Sequence, residues 1–327
     1  MNSPSETSPM LTPSTSGKSI PGLSATSGKA PGKEISLPAS PLTERMAINQ
    51  LTTLRNCLAT DLTEYQRFGI PAIGLSWRKI QKYGIRRSLR KVQQSGVPVS
   101  SVGWIGGFTG EHGHSLCELI ADARRVIRFA GQVRAGTVTV ITGPQAGHIR
   151  SHAFRITAEA LTELSDLAAT YDVVLAVQPM HALFSRNWSF LNTIDDTLQL
   201  MDRVNHPQLQ MAFGTYHLWS EPNLMQRLEE IASRIRLVSL ADWGPAPRHE
   251  NDRLLPGNGH LPLTDLILAL ENNGFFGWYE MDVWSRDLWN LDHRDLMQRC
   301  VSARDQLSAS LQSQERSEKL DDVHYVT

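Results

Sequence analysis

Eight repeats of one pattern, a short strand-like run followed by a longer helix-like stretch, constrain the fold of this chain more than any other feature. The strand-like runs are about six residues long and rich in β-branched or apolar residues, whereas the helix-like stretches carry apolar residues at a period of about 3.6. The predicted strands lie near Ala47–Thr53, Ala72–Trp77, Val97–Gly103, Thr137–Thr142, Val173–Gln178, Leu209–Phe213, Ile235–Leu240 and Gly277–Val283. Eight such units in about 265 residues match a closed (β/α)8 barrel, which typically takes about 250 residues.

The composition of the strands supports this arrangement over its main competitor. Thr137–Thr142 and Val173–Gln178 are nearly continuous apolar or β-branched runs, which is typical of parallel strands buried on both faces. An open doubly wound sheet would normally carry a glycine-rich turn after its first strand, and the sequence there is Arg55-Asn56-Cys57. We therefore predict an α/β protein with the TIM-barrel fold.

Both ends of the chain differ from this repeating region. Ser, Thr, Pro and Gly fill 26 of the first 45 positions, and such a segment buries too little apolar surface to offset its ordering entropy. It also lacks the apolar stretch of a secretion signal. We predict a disordered leader over residues 1–45, a barrel over 46–311 and a polar tail over 312–327.

Charge and cysteine content exclude several classes of protein. The net charge is -1, so no broad basic surface is available for nucleic acid. The three cysteines, Cys57, Cys117 and Cys300, are far apart and show no metal-ligand spacing. No apolar run approaches the roughly 18 residues of a membrane span. These features predict a cytoplasmic protein that binds neither nucleic acid nor membrane.

Tryptophans and histidines gather where a barrel enzyme keeps its active site. That site lies at the carboxyl ends of the strands and in the loops that follow them. Six of the eight tryptophans fall there, and so do several histidines: Trp77, Trp104, Trp188, Trp219, Trp243 and Trp284, with His112, His114, His148, His152, His181 and His217. An indole offers a flat apolar face and one donor, which suits a sugar ring. The alternative is that the indoles only plug the barrel mouth.

Several short strings, in order and spacing, resemble those of a known superfamily. They are Asn49-Gln50-Leu51-Thr52-Thr53, Gln178-Pro179-Met180-His181, Thr215-Tyr216-His217-Leu218, Leu240-Ala241-Asp242, Pro256-Gly257-Asn258-Gly259 and Gly277-Trp278-Tyr279-Glu280-Met281-Asp282. Over about residues 46–300 the chain resembles the xylose isomerase-like sugar phosphate isomerase/epimerase superfamily.

The resemblance implies a divalent metal such as Mn, Co, Mg or Zn. Its ligands would be a Glu on strand five, an Asp on strand six, a His on strand seven and a Glu on strand eight, and the two glutamates would shuttle a proton through an enediolate. This chain has Gln178, Gly214, Ser239 and Asp282 at those positions. Of these four residues only Asp282 is charged, and Gln178 offers a neutral amide oxygen in place of a carboxylate. The expected metal site is therefore degraded to Gln178 and Asp282, or absent.

The resemblance also supplies the remaining site candidates. His217 matches a histidine that contacts substrate in related epimerases, and Asp242 matches an acidic residue three positions beyond the lost strand-seven histidine. We predict Asp282, His217 and Asp242 as catalytic residues. The predicted substrate-binding residues are Trp77, Trp104, His181, Trp219, Trp243 and Trp284.

Two functions follow from these predictions. The first is an isomerase or epimerase that acts on a small sugar, sugar phosphate or polyol by proton transfer, with an altered metal site. The second is a non-catalytic relative that binds a carbohydrate-like ligand or serves as a scaffold. Tri-zinc AP endonucleases share the superfamily, but they need a dense set of His, Asp and Glu ligands that the substitutions above remove. Relatives with this barrel are often homo-oligomers, either dimers or tetramers, and the sequence leaves the oligomeric state of this chain open.

Overall fold

A computed structural model describes residues 41–110, 113–244 and 249–324. In these ranges eight parallel strands form a closed barrel in chain order, with β8 pairing back onto β1. The strands are β1 (Met46–Asn49), β2 (Ile73–Ser76), β3 (Val99–Gly106), β4 (Thr137–Ile141), β5 (Val174–Val177), β6 (Leu209–Gly214), β7 (Ile235–Leu240) and β8 (Trp278–Met281). The predicted (β/α)8 barrel is confirmed.

Helices precede β1 and follow each strand, and the longer ones cover the outside of the barrel. They are α1 (Leu42–Arg45), α2 (Leu58–Arg67), α3 (Trp77–Tyr83), α4 (Ile85–Ser95), α5 (Leu116–Gln132), α6 (Arg150–Thr170), α7 (Ile194–Val204), α8 (Thr215–Leu218), α9 (Leu224–Ile231), α10 (Leu263–Asn272), α11 (Arg286–Trp289) and α12 (His293–His324). Local sequence sets some of their ends. Ser115 and Glu118 form a reciprocal capping box that begins α5, which satisfies two amide donors of the first turn.

The two ends of the barrel region differ in detail from the prediction. Residues 42–45, assigned to the leader, form α1, and Leu42 is buried. The last helix, predicted to end near Leu311, continues to His324. Residues 1–40 of the predicted leader and His112 lie outside the described residues. Among the described helices, none is long and apolar enough to cross a membrane.

Alternation along β8 shows how the barrel separates its two sides. Successive side chains of a strand point to opposite faces. Tyr279 packs on Phe275 on the helix side, whereas Glu280 accepts hydrogen bonds from the side chains of Asn49 and Ser100 in the interior. Asp282, two residues after Glu280, follows the same inward direction. The strand therefore sends one carboxylate into the barrel centre and a second to its mouth.

A glycine makes room for the inner carboxylate. A Cβ atom at Gly74 of β2 would lie 2.7 Å from both Asn49 Nδ2 and Glu280 Oε2, which is too close for any side chain. Burial is the main cause that raises the pKa of Glu280, and the hydrogen bonds from Ser100 and Asn49 oppose it. The barrel interior below the mouth is thus polar and tightly filled.

Candidate functional site

A carboxylate at the end of β8 is the central feature of the barrel mouth. Asp282 is 6% exposed. Its Oδ1 accepts a hydrogen bond from Trp284 Nε1 at 2.8 Å, and its Oδ2 lies 3.3 Å from Arg253 Nη1. Burial raises the pKa of Asp282, while the neighbouring Arg253 cation and the Trp284 bond oppose that rise. Both carboxylate oxygens are therefore committed to donors of this chain.

The cation beside Asp282 is fixed from several directions. Arg253 lies in the loop after β7, is 1% exposed, and also donates from Nη1 to the Asp282 carbonyl oxygen at 3.1 Å. Its guanidinium carbon lies 4.8 Å from the ring centre of Tyr216 and 4.3 Å from that of Trp284, distances at which aromatic faces attract a cation. The Arg253 Nε atom is buried and has no hydrogen-bond partner among the described residues.

His217 completes this group from the short helix α8. Arg253 Nη2 lies 3.1 Å from His217 Nε2, and the backbone N–H of His181 lies 3.3 Å from His217 Nδ1. An arginine can only donate, and a neutral imidazole accepts at one nitrogen only, so one of the two contacts is a hydrogen bond, while both place a donor against the ring and oppose its protonation. Burial is the main cause that places the pKa of His217 well below its ordinary value, and Arg253 and His181 lower it further. The imidazole is therefore neutral at physiological pH.

His181 lies at the edge of the same group. Its ring is 5.5 Å from that of Trp243, and its Nδ1 accepts from the backbone of Leu183. Burial lowers the pKa of His181. The other described histidines named above lie in different contacts. The rings of His148 and His152 are 4.9 Å apart, and His114 Nδ1 lies 4.0 Å from a Glu118 carboxylate oxygen on α5.

Asp242, a predicted catalytic residue, holds the loop after β7. Its carboxylate accepts from the backbone N–H groups of Trp243, Gly257, Gly259 and Leu261. A Cβ atom at Gly259 would lie 2.3 Å from Asp242 Oδ1, so glycine is required there for the close approach. The geometry gives Asp242 a positioning role for this loop, and a direct part in proton transfer stays a prediction.

The predicted tryptophans form two groups and one separate residue. Trp104, Trp188 and Trp284 contact one another, with ring centres 4.9 to 5.9 Å apart. Trp219 and Trp243 pack together at 5.2 Å. Trp219 is 39% exposed, on the outer side of this pair. Trp77 contacts neither group: its ring packs on Phe129 and its Nε1 donates to Asp122 at 3.0 Å.

Arg253 and Tyr216 link the two indole groups. Tyr216 lies 4.7 Å from Trp243 and also contacts the Arg253 guanidinium, which in turn contacts Trp284. The aromatic side chains thus form a belt around the buried cation. Trp188 Nε1 in this belt is buried and has no hydrogen-bond partner among the described residues.

A cavity opens beside two members of the three-tryptophan group, Trp104 and Trp188. It measures about 520 Å³, and the residues that line it include Trp77, Trp104, Trp188, Asp122 and Glu250. Its polar and aromatic walls are of the kind that bind small hydroxylated molecules.

Comparison with known proteins assigns the chain to a family. A family model for the xylose isomerase-like TIM barrel matches residues 62–307. The chain belongs to this family.

Relatives in sequence are enzymes that act on small sugars or polyols. An inosose isomerase of Halalkalibacterium halodurans is 20% identical over 258 residues, which cover 76% of this chain and 90% of the relative. A D-psicose 3-epimerase of Enterocloster bolteae is 27% identical over 118 residues, which cover 36% of each chain.

Solved structures of similar proteins share the fold. A Sinorhizobium meliloti protein has a TM-score of 0.74 at 22% identity, covering 81% of this chain and 98% of that one. The zinc-bound IOLI protein has a TM-score of 0.72 at 18% identity, covering 82% of this chain and 99% of that one.

The family implies a divalent metal, but the residues at this mouth do not fit one. Gln178 and Ser239 supply neutral oxygens, and Gly214 supplies no side chain. A Cβ atom at Gly214 would already lie 3.3 Å from Gln178 Nε2 and 3.2 Å from the His217 ring. The one charged member, Asp282, is paired with Arg253. Across the described ranges, no cluster of three or more His, Cys, Asp or Glu is arranged to hold a metal ion.

Sequence reasoning missed Arg253, the residue that organises this mouth. It stands in the loop Asn251-Asp252-Arg253, three residues before the Pro256-Gly257 turn. An arginine in a polar loop is usually exposed, and no periodicity marks a loop residue as buried. Its position relative to the turn within the resembling strings was the available signal.

Proposed function

We propose that this protein isomerises or epimerises a small keto-sugar or keto-polyol by proton transfer, with Asp282 as the base. The observation that carries the proposal is the Asp282 carboxylate, buried at the end of β8 with its pKa raised. A proton next to a carbonyl is removed only by a base held within reach, and a raised pKa strengthens a carboxylate for that task. The names of the relatives, inosose isomerase and D-psicose 3-epimerase, support this substrate class.

The proton has a short path in this proposal. Asp282 takes a proton from the carbon next to the substrate carbonyl, and the electron pair moves onto the carbonyl oxygen to give an enediol-type intermediate. The hydroxyl hydrogen of the neighbouring carbon's oxygen moves to the former carbonyl oxygen, Asp282 returns its proton to the former carbonyl carbon, and the second oxygen becomes the new carbonyl. Since Gln178 cannot act as a second base, a single carboxylate favours transfer on one face of the substrate, which is isomerisation. Epimerisation needs a proton donor on the opposite face as well.

Neighbouring groups support this task without exchanging protons. Arg253 and Trp284 fix the orientation of Asp282. His217, whose pKa lies well below its ordinary value, adds no second positive charge beside Arg253. Trp104 and Trp188 pack on Trp284, the indole that donates to Asp282, and so place apolar rings on this side of the carboxylate.

Solvent exchange tests the proposal directly. The protein is incubated in D2O with inosose, D-psicose, D-tagatose or L-ribulose, and deuterium at the carbon next to the carbonyl is followed by NMR. We expect enzyme-dependent deuterium incorporation, together with isomer formation, for at least one of these compounds. No incorporation with any of them, in protein that is folded by circular dichroism, contradicts the proposal.

A second candidate function rests on one observation, the replacement of the strand-five base by the amide Gln178. A barrel with this amide, a paired carboxylate and an aromatic belt is also suited to binding a sugar without converting it. Thermal stabilisation by a sugar of the same panel, without deuterium incorporation, identifies this binding function.

A further inference from the structure

We infer that the guanidinium of Arg253 is the resident cation of this mouth and takes the place of a divalent metal, so that the site works without a metal ion. The part of this inference that concerns turnover rests on the function proposed above. The assignment of the cation rests on the contacts and the balance of charge in the mouth.

The first observation is that Arg253 already occupies the groups a metal would use. Its Nη1 and Nη2 atoms reach Asp282 Oδ2 and His217 Nε2, a carboxylate oxygen and an imidazole nitrogen. Both atom types are common metal ligands. The remaining Asp282 oxygen is taken by Trp284 Nε1. A metal could bind only by displacing a cation that is held by an ion pair, a carbonyl oxygen and two aromatic faces.

The second observation is the balance of charge. Asp282 and Arg253 neutralise each other, His217 is neutral, and Gln178 and Ser239 carry no charge. A divalent ion added to this buried group would leave two positive charges without compensation. Burying an unpaired charge is among the most costly events in a protein interior. The same group is balanced when the guanidinium is its only cation.

The third observation concerns the atoms that lack partners. Arg253 Nε and Trp188 Nε1 are both buried and have no hydrogen-bond partner among the described residues. Both are N–H donors, and both residues contact the ring of Trp284. A metal needs acceptors, whereas these atoms need an acceptor themselves. The unpartnered N–H donors of the mouth can therefore bind a ligand oxygen, whereas they cannot bind a cation.

A fixed guanidinium can perform the electrostatic task in the proposed reaction. When Asp282 removes the proton from carbon, negative charge develops on the substrate oxygen. The Arg253 N–H groups stabilise that charge and need no reorganisation, because the aromatic faces already hold the guanidinium in place. When Asp282 gives the proton back, the electron pair forms a new C–H bond and a neutral carbonyl is restored, so no electrons enter or leave the site.

Elemental analysis of the wild-type protein tests the cation assignment. Tag-free protein is produced in medium that contains Mn²⁺, Co²⁺ and Zn²⁺, and its metal content and melting temperature are measured before and after dialysis against EDTA. We expect no stoichiometric metal and the same melting temperature with EDTA and with each added metal. One metal ion per chain, or a stabilisation by metal that disappears in Asp282→Asn, would overturn the inference.

Variants at Arg253 test the functional part. The sugar that gives deuterium incorporation is assayed in EDTA with wild type, Arg253→Lys, Arg253→Met and the control Arg155→Met, which changes an exposed ion pair on α6. We expect full activity for wild type and control, partial activity for Arg253→Lys, and loss for Arg253→Met. Loss of wild-type activity in EDTA, restored by a metal, contradicts the inference but leaves the proposed function intact. If no sugar reacts, the proposed function fails, and the metal content still decides the cation assignment.

Discussion

Arg253 Nη1 lies 3.3 Å from Asp282 Oδ2, and the two side chains, from the loop between β7 and α10 and from the end of β8, are 1% and 8% exposed. Removal of one partner of such a buried pair leaves an uncompensated charge. We therefore expect Arg253→Met to lower the free energy of unfolding by about 3–5 kcal/mol, the usual cost of breaking a buried pair. Urea unfolding followed by circular dichroism measures this loss.

The double variant separates the pair from its surroundings. Arg253→Met combined with Asp282→Asn removes both charges, so we expect it to be more stable than Arg253→Met alone. Additive losses from the two single changes would show that the ion pair does not couple these residues. Arg155→Met serves here too as the exposed control, since surface pairs contribute about 0–1 kcal/mol.

Asp282→Asn is the sharpest test of the proposed base. The amide oxygen still accepts a hydrogen bond from Trp284 or Arg253, but the group no longer takes a proton. We expect deuterium incorporation into the responsive sugar to fall by about 10²–10⁴-fold, the usual contribution of a general base. The matched control is Asp166→Asn, an exposed aspartate on α6 near His206. Equal activity in Asp282→Asn and the control would exclude Asp282 as the base.

Sequence patterns predicted the barrel because each strand and each helix can be recognised from the spacing of apolar residues within its own segment. Strand-like runs such as Thr137–Thr142 carry their own periodicity, and eight of them in order leave few topologies. The Asp282–Arg253 pair is different, because the contact depends on how a long loop folds back over the mouth. The four backbone donors around Asp242 determine that fold, and backbone donors leave no trace in the sequence. The mouth could therefore be located from sequence, whereas its chemistry could not.

Asp242→Asn tests whether this loop is held by the carboxylate. The amide nitrogen would face backbone N–H groups and leave some of them without acceptors. We expect a loss of about 2–4 kcal/mol in the free energy of unfolding, because unsatisfied buried donors cost about 1–3 kcal/mol each. Hydrogen exchange followed by mass spectrometry should show faster exchange at residues 257–261 than in wild type. Unchanged exchange there would assign Asp242 a role other than holding the loop.

Glu280 predicts a particular dependence of stability on pH. Asn49, Ser100, Ser101 and Asp282 are polar groups of the described residues that face it, and burial raises its pKa. The folded chain holds the Glu280 proton more tightly than the unfolded chain does, so this residue's contribution to stability falls as pH rises from the unfolded to the folded pKa. Glu280→Gln removes that dependence.

We expect the stability of Glu280→Gln relative to wild type to increase as pH rises above the ordinary glutamate range, by about 1.4 kcal/mol for each unit by which the folded pKa is raised. Urea unfolding at a series of pH values from acidic to neutral measures the difference. A difference that stays constant across the series would mean that burial does not raise the pKa of this carboxyl.

The unpartnered indole donor of Trp188 gives a test of ligand contact that spares the aromatic packing. Trp188→Phe keeps an aromatic ring next to Trp104 and Trp284 but removes Nε1. If a ligand oxygen accepts from this atom, we expect the dissociation constant of the responsive sugar to rise about two- to tenfold, since a hydrogen bond contributes about 0.5–1.5 kcal/mol. Without ligand the variant should be at least as stable as wild type, because the substitution removes a buried donor that has no acceptor and that costs free energy on folding. The control is Trp278→Phe, which lies at the start of β8 and therefore at the end of the barrel away from the mouth. Calorimetry measures the affinity of both variants. Equal affinities would place the ligand away from Trp188 and would contradict the inference that the unpartnered donors of the mouth bind a ligand oxygen.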